Sequence, residues 1–431
     1  MYKYILPISI AAVAFAPALT HAASNTSNTM SEAMGVRPAR VTEPGAPLSL
    51  QNALRLAFGA NAELSSARQE VEAVDASIQQ AGIRPNPDVS LLMEDTRRET
   101  RTTTWQFNQM IELGGKRSAR IDVATRARDA ATADLDTQYA DIRAAVIIAF
   151  FDVLHAQERL LLADTSIDLA HRGALIAARR VTAGKVSPVE ETKARVAEAT
   201  IRLARNQANS ELTNARKRLA ATWGNAVPRF DRADGQLEAL PVLPIWTELT
   251  VRLRHAPAIV RARLEVDRRG ALARLEHSRR TPDVTVSIGV KRSEELGRNQ
   301  AIVGLSMPFP LFDRNQGNVT ESLRRTDKAR DELAAIAIRI DTEVAQAYER
   351  LQTARQEADV LQREILPGAQ SAYDAATKGF EFGKFEFLSV LDAQRTLLEV
   401  KSLYLRSLSD AHRAAAEIDR LLGAPLAMTK Q

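Results

Sequence analysis

The 431-residue sequence contains no cysteine, which excludes disulfide bonds, thiolate metal sites and a lipidated cysteine. Aromatic residues make up only 5% of the chain. Proline and glycine are nearly missing from two long stretches, residues 117–183 and 319–376, which are rich in the helix formers Ala, Leu, Arg and Glu. The composition therefore predicts a protein built mainly from long helices.

Long apolar runs are also missing, apart from one at the N-terminus. That run, from Ile5 to Leu19, follows Lys3 and is shorter than the roughly 20 residues that a spanning helix needs. Small residues then provide a cleavage site after Ala22 or Ala23. We interpret residues 1–23 as a secretory signal peptide, with a membrane anchor as the alternative. No transmembrane helix is predicted after it, so a chain that crosses a membrane must do so as a closed β-barrel.

Residues 24–47, rich in Ser, Thr, Asn, Pro and Gly, are predicted to form a flexible N-terminal segment. The net charge of +5 comes from Arg side chains that are interleaved with Asp and Glu along the whole chain. This pattern is typical of solvated helix faces, so no nucleic-acid partner is predicted.

No arrangement of residues in the sequence predicts an enzyme. The six histidines include no close pair, so neither a dedicated metal site nor a cofactor is predicted. The segment Gly114–Arg117 lacks the spacing of a phosphate-binding loop and is interpreted as a turn between a strand and a helix. We find no catalytic Ser–His–Asp set and no paired carboxylates.

An internal repeat organises the chain. The tripeptide Pro87-Asp88-Val89 recurs 195 residues later as Pro282-Asp283-Val284. Leu113 and Leu311 are 198 residues apart, and Gly184-Lys185 recurs after 199 residues. Such a slowly drifting offset indicates two copies of one unit. The predicted boundaries are residues 48–226 for the first unit, 227–245 for a linker, 246–425 for the second unit and 426–431 for a tail.

Each unit is predicted to have the same order of elements. A first helix, about 48–82 in the first unit, is followed by two strands and then by a long helical hairpin. In the second unit, Val284 to Val290 and Val303 to Phe309 alternate apolar and polar residues, as in strands with one apolar face. The hairpin helices are predicted at about 117–183 and 188–223, and at 319–376 and 386–422, with Pro367-Gly368 as an interruption. Four strands cannot close a barrel alone, whereas an oligomer can.

This pattern resembles the TolC-type outer membrane factors, over about residues 48–425. The junction Met307–Gly317 (MPFPLFDRNQG) and the turn Phe380–Leu398 (FEFGKFEFLSVLDAQRTL) are similar to family motifs. Glu112–Arg117 (ELGGKR) is similar to the branch that serves cobalt–zinc–cadmium efflux pumps of the RND type.

The resemblance implies a mostly α fold with a small β part, assembled as a homotrimer. Three chains would form a twelve-stranded outer-membrane β-barrel, surrounded by lipid, and a periplasmic coiled-coil tunnel of α-helices. The partners implied are a periplasmic adaptor (membrane fusion protein) and an inner-membrane RND pump. The location implied is the outer membrane of a Gram-negative bacterium.

The resemblance also places functional residues at the ends of the two helical hairpins. Candidate adaptor-docking tips are Gly184, Lys185, Val186, Ser187, Gly383, Lys384, Phe385 and Phe387. Glycine is expected there for turn geometry alone, whereas apolar tips indicate docking. Candidates for the periplasmic aperture are Asp392, Ser389 and Glu190, because three copies of an inward Asp392 would form a cation-attracting ring. An ordinary exposed helix charge is the alternative.

The predicted function is passive conduction of substrate, first of all divalent heavy-metal cations, to the exterior. Export of drugs or solvents is the second interpretation, and protein secretion the third. A soluble periplasmic coiled-coil adaptor or scaffold is the alternative from another class.

Overall fold

The computed structural model describes Glu43 and residues 47–423, which form a mostly helical structure with a small β part. The predicted signal peptide, most of the segment 24–47 and the tail 426–431 lie outside the described residues. Within the described range, no helix has both the length and the apolar character needed to span a membrane.

The first predicted helix is divided at one residue. Strand β1 (Leu48–Ser49) leads into helix α1 (Leu50–Ala60), and α2 spans Ala62–Ala81. Asn61 between them has an extended backbone, because its side chain accepts a hydrogen bond from the N–H of Leu64 (3.0 Å) and so begins a new helix. The prediction of one continuous helix over 48–82 was wrong at this point.

The predicted strands form the main sheet of the described chain, but the last of them (Arg298–Ser306) begins earlier than predicted and ends before Met307 and Phe309, which were predicted to lie in it. After β2 (Asp88–Glu94) and β3 (Thr102–Ile111), helix α3 (Lys116–Thr182) begins. With 67 residues at 1.5 Å per residue, α3 is about 100 Å long. Helix α4 (Pro188–Ala221) returns along it.

The second half of the chain repeats this order. The two-residue strand β4 (Ala233–Asp234) pairs in parallel with β1 and is followed by α5 (Trp246–Leu253) and α6 (Pro257–Ser278). Strands β5 (Val284–Ser293) and β6 (Arg298–Ser306) then complete a four-stranded sheet in the order β2–β3–β5–β6. All three pairings in this sheet are antiparallel. In this strand order, β2 and β6 are the edges of the sheet.

The last helical hairpin contains a π-helix that the sequence pattern does not predict. Helix α7 (Gln316–Val360) passes through a π-helical turn (Leu361–Ile365) into α8 (Leu366–Glu381), and α9 (Phe387–Leu422) returns. Pro367 lies two residues after the end of the π-turn, where its missing N–H leaves one fewer intrahelical bond to make. The predicted interruption is therefore a local change of helix type and not an end of the helix.

This π-turn accounts for the last step of the drift in offset between the two halves, from 198 to 199 residues. Before it, the fully buried residues Val146 and Val344 lie 198 positions apart in the sequence. After it, the buried pair Ala177 and Ala376 lies 199 positions apart. A π-turn inserts one residue into a helix. The burial pattern of the two long helices thus stays in register across the insertion.

The core of the described chain lies where the two hairpins meet the short helices. One cluster packs α1 against the middle of α3 and the end of α4, with Phe150 and Leu219 at its centre. A second cluster packs α5 against α7 and α9, around Leu249 and Leu351. Both clusters lie between the sheet end and the hairpin-turn end of the long helices, which they hold together.

Candidate functional site

Both helical hairpins reverse through the same kind of glycine turn. In the first, Gly184 has a positive φ of 69° and the N–H of Lys185 donates to the carbonyl of Arg180 (2.9 Å). In the second, Gly383 has a φ of 72° and the N–H of Lys384 donates to the carbonyl of Gly379 (2.8 Å). This six-to-one bond with a left-handed residue is the Schellman motif, so turn geometry explains the two glycines.

The helices that leave these turns begin differently. Ser187 caps α4, since its hydroxyl accepts a hydrogen bond from the N–H of Val189 (3.3 Å), and Pro188 occupies the first helical position. Glu386 precedes α9 with an extended backbone but makes no side-chain capping bond. The first turn of α4 carries Glu190, a favourable place for an acidic side chain.

The two tips touch each other. The guanidinium carbon of Arg180, near the end of α3, lies 4.4 Å from the ring centre of Phe380, near the end of α8. This is a cation–π contact, worth about 0.5–2 kcal/mol depending on its exposure. The Arg180 side chain also reaches Gly383, where an added Cβ would lie 3.4 Å from its Nη2. The sequence-predicted tips Gly184 and Gly383 therefore belong to one end of the structure.

The aromatic residues of the second tip are not equally available. Phe385 is exposed, as expected of an apolar tip, with 50% of its surface accessible, although its ring also lies against Gly379, where an added methyl group would overlap it. Phe382, which the sequence reasoning missed, is 78% exposed. The side chain of Phe387 lies outside the described residues.

The aperture candidates lie just past the turns. Asp392 and Ser389 are exposed on the first turns of α9, and Glu190 is partly exposed on α4. In the described part of the chain the carboxylate of Asp392 has no ion pair, whereas only its backbone carbonyl accepts a bond, from Thr396 (3.0 Å). An unpaired, solvated carboxylate is available to cations.

The two hairpins meet near their tips through small side chains. The cluster there consists of Ala174, Ala177, Ala194, Ala369, Tyr373, Ala376, Phe380, Val390 and Leu397. A cavity of about 120 Å³ lies within this contact. Gln394 lines the cavity and is buried, and its Nε2 has no hydrogen-bond partner in the described structure. Since a buried unpaired donor costs about 1–3 kcal/mol, this contact between the hairpins is less stable than it would be with Gln394 paired.

The sheet at the opposite end has one apolar face and one polar face. One row of paired residues across the four strands is apolar: Val89, Phe107, Ile288 and Val303. The next row in register, on the other face, contains Ser90, Gln106, Gly289 and Ile302. Val303 on the apolar face is 82% exposed, whereas Ser287 on the polar face is 6% exposed. This difference is expected if the sheet curves toward its polar face.

Metal-ligating side chains are dispersed in the described residues, where no group of three or more His, Asp or Glu is placed to hold an ion. His171 is bonded to Glu198 (3.2 Å). His412 is buried, stacked on Phe151 and hydrogen-bonded to the carbonyl of Leu237 (2.9 Å). These histidines have structural partners.

A model of the outer membrane efflux protein family matches this chain twice, over residues 53–225 and 251–424. The chain belongs to the outer membrane efflux protein family. It is a channel protein of the outer membrane and not an enzyme.

The proteins to which this chain is similar have nearly the same extent. The chain is 47% identical to the cobalt-zinc-cadmium resistance protein CzcC of Cupriavidus metallidurans, over 98% of this chain and 100% of that protein. Among solved structures, CusC is 16% identical with a TM-score of 0.77, covering 90% of this chain and 96% of that one. The outer membrane protein VceC of Vibrio cholerae is 17% identical with a TM-score of 0.74, over 88% and 96%. The two structures show that the fold is shared.

Besides Phe382, three residues near the tips of this efflux protein were not predicted from the sequence. Arg180 and Phe380 lie far apart in sequence, and no local pattern pairs them. Gln394 lies on an apolar stripe of α9, and this polar residue at an otherwise buried position is the signal that would have drawn attention to it.

Proposed function

We propose that this chain is the outer-membrane channel of a tripartite RND-type pump that exports divalent heavy-metal cations. The observation that carries the proposal is the 47% identity to a cobalt-zinc-cadmium resistance protein over the full length of that relative. The channel itself supplies no energy, because the described chain has no nucleotide loop and no catalytic constellation.

Three copies of the chain together complete the β-barrel of the channel. The four-stranded sheet has free edges at β2 and β6, which in water or lipid would leave backbone N–H and C=O groups unpaired. Three sheets joined edge to edge form a twelve-stranded barrel, with the apolar face toward lipid and the polar face toward the lumen. The two halves of each chain are structural repeats, and their long hairpins form the periplasmic coiled-coil tunnel.

The hairpin tips are the docking surface for a periplasmic adaptor, behind which an inner-membrane RND pump supplies substrate. Phe382 and Phe385 support this role, since apolar side chains exposed at a turn are a cost unless a partner covers them. Lys185 and Lys384 add a positive charge to each tip. Val186 and Ser187 complete the surface on the first hairpin.

The same end of the tunnel is the gate. The Arg180–Phe380 contact holds the two tips together in the closed state. The cavity beside Gln394 lowers the free energy needed to separate them, because fewer contacts are lost there. Asp392, with Ser389 and Glu190 nearby, lines the aperture. In a trimer, three Asp392 carboxylates would attract cations and repel one another, which favours both cation passage and opening.

A deletion strain tests the substrate. Growth is measured on cobalt, zinc, cadmium, nickel, copper and silver salts, and on a panel of drugs and detergents. We expect sensitivity to one or a few metals, restored by the wild-type gene. Sensitivity to organic compounds with normal metal tolerance would contradict the metal substrate and would favour a drug or solvent as the substrate.

A further inference from the structure

The junctions between strands and helices contain an ion pair that joins the two halves of the chain. Strand β3 belongs to the first half and pairs with β5 of the second. Just beyond β3, the N–H of Leu113 donates to Oδ1 of Asp283 (3.0 Å), and Lys116 Nζ lies 2.7 Å from the same oxygen. Asp283 thus fixes the start of β5 to the start of α3.

The other edge of each half has no such connection within one chain. By the offsets of 195 and 198 residues, Asp88 at the start of β2 corresponds to Asp283, and Arg314 after β6 corresponds to Lys116. Arg314 is also the only cation between Met307 and Gln316, so a shift of one or two residues in this correspondence leaves it the candidate.

A second pair of contacts supports the correspondence. In the first half, Arg117 Nε donates to the carbonyl of Gly82 at the end of α2 (2.6 Å). In the second half, Asn315, 198 residues later, donates through Nδ2 to the carbonyl of Glu276 near the end of α6 (2.8 Å). Each helical hairpin is therefore attached in the same way to the short helix of its own half.

The residues at the free edge have no ionic partner in the described chain. Asp88 and Arg314 are exposed, and neither side chain takes part in an ion pair or a hydrogen bond within residues 47–423. Apolar side chains lie beside them: Phe309, Leu311 and Phe312 follow β6, and Ile83 precedes β2, and all four are exposed. Opposite charges and apolar surface thus occur on the two edges that an adjacent copy would bring together.

We propose that Arg314 of one copy forms an ion pair with Asp88 of the next copy, as Lys116 does with Asp283 within each chain. This rests on the proposed trimer and specifies its seam. Antiparallel pairing of β6 with β2 of the next copy then joins Val303 and Leu305 to the apolar face that carries Val89. A register shifted by one residue would place polar residues on that face.

Cysteine cross-linking tests the seam directly, because the chain has no cysteine of its own. The variant with both Asp88→Cys and Arg314→Cys is treated with a short bismaleimide in isolated outer membranes and examined on a denaturing gel. We expect covalent dimers and trimers. Each single variant should run as a monomer on the denaturing gel. The pair Lys116→Cys with Asp283→Cys should be cross-linked within one chain and should also run as a monomer.

Charge reversal gives a second readout on the full-length protein. Arg314→Asp should lower the temperature at which the trimer dissociates in detergent, and adding Asp88→Arg should restore much of the loss. If the double-cysteine variant does not cross-link while the untreated protein still has the size of a trimer, the proposed Arg314–Asp88 pair is wrong and the trimer stands. Protein that has the size of a monomer in every variant and in the wild type would overturn both.

Discussion

Arg180 and Phe380 join the ends of two helical hairpins that are otherwise linked there mainly by alanine side chains. The guanidinium carbon lies 4.4 Å from the ring centre, and Arg180 also reaches the turn at Gly383. This contact adds a specific attraction between the tips to the apolar packing of the cluster.

Replacing Arg180 by Ala should therefore make the gate easier to open. Loss of a contact worth about 1 kcal/mol shifts a closed–open equilibrium roughly five-fold toward the open state. Single-channel recording in planar bilayers measures the open fraction. Arg179→Ala, one position earlier and exposed, is the matched control and should behave as the wild type. Equal open fractions in the two variants would remove Arg180 from the gate.

Asp392→Asn should reduce the preference of the channel for cations over anions. The substitution removes three negative charges from the aperture of a trimer while keeping the size of the side chain. Reversal potentials in a salt gradient measure the preference. Asp331→Asn, an exposed position on α7 far from the turn, is the control. An unchanged reversal potential for Asp392→Asn would show that this carboxylate is an ordinary surface charge.

Glu43→Ala should destabilise the protein. The buried Glu43 carboxylate accepts hydrogen bonds from Trp223 Nε1 (2.7 Å), from the Asn225 amide and from the N–H of Arg229 (2.5 Å). Removing it leaves these donors unpaired, at a cost of about 1–3 kcal/mol. The melting temperature in detergent measures the loss. Glu158→Ala, exposed on α3, should change it little, and equal melting temperatures for the two variants would contradict this account.

Acid should weaken the contact between α9 and the linker. Burial lowers the pKa of His412 from 6.5 to about 4, so the folded protein favours the neutral ring. The resulting stability is complete above pH 6.5 and is lost as the pH falls toward 4, by at most about 3 kcal/mol at 1.36 kcal/mol per pKa unit. Burial, assisted by Arg159, also lowers the pKa of His155, which acts in the same direction.

The check is the melting temperature of the wild type and of His412→Gln between pH 7.5 and 4.5. Glutamine keeps a donor for the carbonyl of Leu237 but does not titrate. We expect the variant to lose less stability on acidification than the wild type. Parallel curves for the two proteins would assign the acid sensitivity to other groups, with His155 as the first to examine.

The periodic parts of the fold were predictable from the sequence, and the contacts between them were not. The alternation from Val284 to Val290 predicted β5, and the run without proline from Arg117 predicted α3, because both patterns are local. The division at Asn61 was missed although its capping bond to Leu64 is local; its side-chain amide also donates to the carbonyl of Thr222, 161 residues away, and no local pattern shows that contact. The π-turn at Leu361–Ile365 appeared in the sequence only as a one-residue change of offset.

The candidate site shows the same limit. The turn glycines Gly184 and Gly383 were found because turn chemistry is local. The packing of Phe385 on Gly379 and the contact of Arg180 with Phe380 depend on how two hairpins lie side by side. No spacing within one helix contains that information.

Metal content of growing cells tests the central proposal most directly. Wild-type, deletion and complemented strains are loaded with sublethal cobalt, zinc or cadmium, transferred to metal-free medium, and followed by elemental mass spectrometry. The account predicts that the deletion strain retains several-fold more of at least one of these metals and that the gene restores its loss. Equal metal loss in all three strains, together with retention of a fluorescent drug by the deletion strain, would contradict it.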